Sequence, residues 1–207
     1  MSSEAEISAA RAPKQQRGKQ RVAELLRAAT TVFAEKGYAA ATMTEIAARA
    51  NAPIGSLYQF FPEKEVLADT LVHNYAAQLA ADLKALEACA SRVNTRRLVE
   101  GLFGLLRAHP RERAAALPIV EARMDAPTRR ATFRPMLRGH VAAILLAHVP
   151  RLPEKAACHM AVVVVQLMKA ASALSDEEDS PGRKTGLREL QALAVQYLQQ
   201  RGRARAS

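Results

Sequence analysis

Apolar residues recur along this chain at steps of three and four, and the steps of two that a half-buried strand requires are nearly absent. Val22, Leu25, Leu26, Ala29, Val32 and Phe33 set the pattern, since residues so spaced share one face of a helix. Prolines mostly fall between such stretches. With 49% of 207 residues hydrophobic, the chain has enough apolar material for a sizeable core, and disorder is excluded for most of it. The expectation is an all-α protein.

Between Phe33 and Leu67 the punctuation is dense. Gly37 follows Lys36 where a helix should stop, because glycine takes the left-handed cap without steric cost. Thr42-Met43-Thr44-Glu45 has the spacing of a capping box, which opens a short helix with Met43, Ile46, Ala47 and Ala50 facing inward. Asn51 tolerates positive φ, and Pro53 suits the first turn of a second short helix, Ile54 to Phe60. Pro62-Glu63-Lys64-Glu65 then opens a long helix through Val66, Leu67, Leu71 and Tyr75 towards Cys89. Three helices with a tight turn between the second and third make a helix-turn-helix.

On the third helix, Leu57 and Phe61 are placed to anchor inward while Tyr58 and Gln59 point out. Gly55 and Ser56 in its first turn are residues that a core helix has no use for. A helix-turn-helix lays its second paired helix in the major groove, so small residues there let a duplex approach. The formal charge of +10 favours a polyanionic partner. Arg11, Lys14, Arg17, Lys19 and Arg21 fall in one acid-free run just ahead of the first helical pattern. The expected division is a flexible basic arm (1–18), a helix-turn-helix domain (19–65), a larger helical domain (66–200) and a flexible tail (201–207).

Residues 20–67 resemble the DNA-binding region of the tetracycline-repressor (TetR) family of bacterial transcription regulators. The resemblance is carried by "VFAEKGYAAATMTEIAARANAPIGSLYQFFPEKEVL", with Gly37-Tyr38, Thr42, Glu45-Ile46-Ala47, Ala50, Gly55-Ser56-Leu57-Tyr58, Phe61, Lys64-Glu65 and Leu67 at the family's spacing. Asn51-Ala52-Pro53 departs from the usual Gly-Val-Ser, which costs the third helix a serine cap. The resemblance implies DNA contacts from Thr42, Thr44, Pro53, Ile54, Gly55, Ser56, Tyr58, Gln59 and Lys64. Hydroxyls of Thr42 and Thr44 would meet phosphate, and Tyr58 a phosphate or a thymine methyl. Ile54, Ser56 and Gln59 would read bases, glutamine being able to pair bidentately with adenine. Lys64 would hold a further phosphate beside the fourth helix's N-terminus.

Beyond residue 92 the periodicity stays helical. One helix should end at Pro110, the next be interrupted at Pro118, and the stretch from Pro127 to Val149 be kinked or restarted at Pro135. Residues 154–174 are apolar nearly all round and demand cover on more than one side. Ala157, Ala161 and Ala171 would let another helix come close, and the last helix shows Leu187, Leu190, Leu193, Ala194, Tyr197 and Leu198 on one broad face. Residues 154–174 and 186–199 are therefore expected to pair with their copies in a homodimer, which suits a palindromic operator in double-stranded DNA. The resemblance further implies a C-terminal ligand-binding domain for an unidentified small-molecule effector, with Phe103, Leu106, Met124, Met136, His140 and Met168 as candidate lining groups and the long connector helix as the lever.

Enzymatic chemistry finds no foothold. His73, His109, His140, His148 and His159 form no HExxH pair, no glycine-rich phosphate loop is present, and Cys89 and Cys158 lack a basic partner, since the neighbours Cys158 and His159 point to different sides of a helix; no catalytic residue, metal or cofactor is assigned. The two distant cysteines suggest a reducing compartment with buried thiols. The run "AVVVVQLM" is short for a membrane span, and the N-terminus lacks the apolar centre of a secretory signal. A cytoplasmic regulator, not an enzyme, is the expectation.

Overall fold

The computed structural model describes residues 3–122, 127–177 and 181–203, with side chains from residue 16 onward except 106, 121, 122, 127–132 and 203. Among the described residues the chain is helical throughout. In order come α1 (Ser3–Ala40), α2 (Met43–Arg49), α3 (Ile54–Phe60), α4 (Lys64–Cys89), α5 (Thr95–Gly104), α6 (Pro110–Ala122), α7 (Pro127–His148), α8 (Glu154–Asp176) and α9 (Arg183–Arg203). Two 3-10 turns, Ala90–Arg92 and Leu105–Arg107, flank α5.

The chain divides into two compact units. The first runs to Tyr75 and takes in the segment from Arg111 that forms most of α6; the second comprises Ala76–Pro110 and the chain from α7 onward. α4 contributes its first turns to one unit and the rest to the other. In the first unit, Leu25, Ala29, Val32 and Phe33 of α1 form one core with Ile46 and Ala47 of α2, Leu57 of α3, and Leu67 and Leu71 of α4. Ala115 and Ile119 of α6 join it. The heptad-like spacing read in α1 is thus the buried stripe of this unit. α1 begins at Ser3 and so takes in most of the stretch set apart above as a basic arm, where Glu4, Ala5, Glu6, Ala9 and Ala10 are good helix formers. Gly37, at φ 75°, is the non-helical residue inside α1 where a stop was expected.

In the second unit, α8 packs against α7 and α9, and α5 against α9. Leu83, Leu98, Leu102, Ile144, Leu145 and Val164 are fully buried or nearly so. His148 ties three elements together: its Nδ1–H donates to the Ala90 carbonyl at 2.8 Å while Nε2 accepts from the Thr95 hydroxyl at 3.1 Å. His109 donates from Nε2 to the Asp82 carboxylate at 2.9 Å. Among the described residues, no group of three or more histidine, cysteine or acidic side chains is arranged to hold a metal.

Four expectations need correction. α6 continues through Pro118 rather than being interrupted there, and α7 does not start anew at Pro135. Both prolines are exposed, and Ala114, whose carbonyl loses its partner at Pro118, is exposed too, so water can replace the missing donor. Neither cysteine is buried: Cys158 is exposed, and Cys89 is half-buried with its thiol donating to the Leu86 carbonyl at 3.2 Å. α8 is, by length and a mean hydropathy of 1.6, apolar enough to cross a bilayer, because alanines extend the short valine run. Ala156, Ala157, Met160, Ala161, Val164, Val165, Met168 and Ala171 are nonetheless buried in protein along one face, while Lys155, His159, Gln166 and Lys169 are exposed, as in a core helix. Lastly, Ala157, Ala161 and Ala171 are fully buried, so the close approach they permit is to this chain's own helices and not to a second copy.

Candidate nucleic-acid interface

The capping box at α2 forms as spaced. Thr42, in extended backbone, accepts from the Glu45 amide at 3.3 Å, and Glu45 Oε2 accepts from the Thr42 amide at 3.1 Å. The Thr42 hydroxyl proton goes to the same carboxylate at 3.1 Å, so the group expected to meet phosphate already serves the cap. Glu45 also pairs with Lys36 at 2.5 Å, and Arg49 grips Glu35 through both guanidinium nitrogens at 2.7 and 3.1 Å, fixing α2 to α1. The Lys36 hydrogen bond, then the Thr42 bonds, hold the Glu45 carboxyl below its ordinary range. The Arg49 hydrogen bond does the same for Glu35. Asn51 takes φ 49° in the turn, as its side chain tolerates.

α3 then begins after Pro53, whose carbonyl accepts from the Ser56 amide at 2.9 Å. No side chain caps it, which is the consequence of proline standing where serine would serve. Two apolar anchors hold the helix down: Leu57 is fully buried and Phe61 is 5% exposed. The remainder of the helix is presented outward. Ile54 is 40%, Tyr58 48% and Phe60 36% exposed. Pro53, Gly55 and Gln59 are exposed and Ser56 half-buried, while Thr44 stands exposed on α2.

Gly55 is informative because the fold does not require it. It sits in helical backbone, and a Cβ built there meets no heavy atom within 4 Å. A helical glycine costs about 1 kcal/mol relative to alanine, so its presence calls for a reason outside the free protein. Close approach of a partner's surface is such a reason.

Lys64 is placed otherwise than expected. Its ammonium donates to the carbonyls of Tyr38 at 3.0 Å, Ala39 at 3.3 Å and Ala41 at 3.0 Å, which occupies all three of its protons. It also lies 4.6 Å from the centroid of the Tyr38 ring. Further upstream, Arg17 and Lys19 are exposed, and Arg21 pairs with Glu24 at 3.0 Å.

An outward-facing second helix on buried anchors, following a capped first helix, is what a groove-reading helix-turn-helix needs. Residues 25–71 match the family described as "Bacterial regulatory proteins, tetR family". The chain is 38% identical over 79 residues to the HTH-type transcriptional repressor KstR2 of Rhodococcus jostii (strain RHA1). The helix-turn-helix segment of this chain thus matches the TetR family. The match to that curated relative spans 38% of this chain and 38% of the relative's length. TetR-family folds extend over most of the molecule. A Mesorhizobium loti MAFF303099 structure assigned to TetR-family transcriptional regulators covers 88% of this chain and 96% of its own at TM-score 0.68 and 22% identity. A TetR-like transcriptional regulator from Rhodococcus sp. RHA1 covers 86% and 95% at TM-score 0.65 and 19% identity.

The effector candidates fall differently. Phe103 and Met168 are core residues at 2% and 3% exposure, whereas Met136 and His140 are half-buried on α7. Met124 and the Leu106 side chain lie outside the described residues. Sequence reasoning assigned no role to Tyr38 and Glu65, though the Tyr38 hydroxyl donates to Glu65 at 2.7 Å beside Lys64. The only signal was their place in the Gly37-Tyr38 and Lys64-Glu65 pairs of the family spacing.

Proposed function

We propose that this protein is a homodimeric, cytoplasmic transcriptional repressor that binds a palindromic operator in double-stranded DNA and is released by a small-molecule effector. The exposed face of α3 carries the reading: Ile54, Gly55, Tyr58 and Gln59 stand outward on a helix anchored by Leu57 and Phe61. Thr44, Pro53 and Ser56 extend that surface, with Thr42 beside them. Repression is the activity named for the Rhodococcus jostii relative. The effector would enter among α5, α7 and α8: α8 packs against both of the others, Met136 and His140 on α7 retain partial exposure, and Phe103 on α5 and Met168 on α8 are buried.

Dimerisation is supported by apolar groups left uncovered on the last two helices. Val162 and Val163 on α8 are 38% and 37% exposed, and Leu193 on α9 is 52% exposed. On α8 they share the outer face with the exposed Cys158, Ala170 and Ala173, and on α9 Leu193 lies in line with the half-buried Leu190 and Tyr197 at three- and four-residue steps. A second copy related by a two-fold axis would cover both stripes at once.

Selection of bound duplexes from a random-sequence pool tests the whole reading. The expected product is a palindrome whose half-site centres lie about 34–36 Å apart, one helical turn. Enrichment without symmetry would indicate a nucleoid-type protein. No enrichment at low salt would remove DNA as the partner.

A further inference from the structure

The segment that carries the groove-reading helix departs from the end of α1 at Ala41 and joins α4 at Lys64, and both α2 and α3 lie within it. We infer that Lys64 is the neck lock of this segment: a positioning residue that ties its two ends together and so fixes how α3 is presented, rather than a phosphate ligand. The inference rests on the DNA-binding reading for its affinity test only.

The end of α1 shows why such a lock is needed. A helix C-terminus leaves main-chain carbonyls without partners and carries partial negative charge. Gly37 at φ 75° swings the last turn out of register, and the carbonyls of Tyr38, Ala39 and Ala41 converge there instead of bonding along the helix. An ammonium answers that arrangement, since it is a compact cation with three donors and can meet three converging oxygens. It is supplied by a residue 26, 25 and 23 positions later in the chain. The Tyr38 ring forms a second side of the seat. It lies 4.6 Å below the Lys64 ammonium and packs 5.7 Å from Phe33, which is 1% exposed, so the cation rests on a wall fixed to the core. A hydrogen bond of 2.7 Å from the Tyr38 hydroxyl to Glu65 closes the same junction one residue on. Lys64 is itself half-buried. Turning to a phosphate would cost it these carbonyl bonds and reopen the neck.

The test is Lys64→Met in the full chain, read by amide hydrogen exchange and by salt-dependent DNA binding. Exchange of the amides in residues 42–60 is expected to quicken by about tenfold or more, as for a local opening, while those of Leu25–Phe33 stay at the wild-type rate. Affinity for the duplex that the wild type selects should fall towards its affinity for mixed-sequence duplex. The slope of log K against log salt should stay unchanged. A lost phosphate contact would instead lower that slope by about 0.9 and leave exchange alone, and this result overturns the inference. So does faster exchange spread evenly over both segments. If Lys64→Met loses its helicity, the same readouts on Lys64→Gln, which keeps two N–H donors without the charge, decide the matter. If the wild type selects no duplex, the DNA-binding reading fails, and exchange alone judges the lock.

Discussion

At the scale of single residues, Gly55 separates what the fold needs from what DNA needs. No heavy atom stands within 4 Å of a Cβ added there, so Gly55→Ala should raise stability by about 1 kcal/mol, visible as a higher Tm. The same methyl group would stand between α3 and a duplex, so affinity for the selected operator should drop roughly tenfold, about 1.4 kcal/mol. A variant that gains stability and keeps full affinity would show that no groove comes close to this position. Gln59 offers a complementary test, being exposed on the same helix with an amide that can meet adenine N6 and N7 together. Gln59→Ala should relax preference at one base position in each half-site of a selection profile and leave the others intact. An unaltered profile would remove Gln59 from the readers.

At the scale of elements, α2 is held by its cap and by two ion pairs to α1, and acid should loosen both. Glu45 has a depressed carboxyl pKa in the folded state, chiefly from the Lys36 hydrogen bond and then from Thr42. Its contribution is therefore complete above the ordinary glutamate pKa of about 4.3 and is lost as pH falls through the lower folded value. Glu45→Gln should lower Tm at neutral pH by a few degrees, on the order of what losing part of a cap does, and the gap to wild type should close in acid. A gap that persists in acid would assign the effect to something other than charge. This cap was legible in the sequence because its partners lie three residues apart and local rules suffice. So were the α3 boundaries and the buried Leu57, since anchor and neighbours share one short helix. Lys64 was not: its acceptors are backbone oxygens more than 20 residues away, and no side-chain pattern announces them. The prolines of α6 and α7 misled for the opposite reason. A local rule for helix breaking gave way to exposure of the position, which lets water serve the freed carbonyl.

At the scale of the whole molecule, the uncovered stripes on α8 and α9 bear on how tightly DNA is held. One short helix such as α3 contacts only a few base pairs, so a regulator that must find one site among many gains from two such helices on one rigid pair of chains. Joining them makes the second half-site contact intramolecular, which strengthens binding by about 10²–10⁴-fold without any new contact to the bases. Val163 is the position at which to break the proposed pairing, because it is 37% exposed and a long side chain there need not disturb the chain's own core. Val163→Arg should sediment as a monomer at micromolar concentration with helicity unchanged. It should bind an isolated half-site as the wild type does, yet lose roughly 100-fold on the full palindrome. Loss on both duplexes alike would mean that the substitution damages the DNA-reading unit itself. Unchanged sedimentation would place the pairing surface elsewhere, and a dilute wild-type monomer that holds the palindrome tightly would end the case for a dimer.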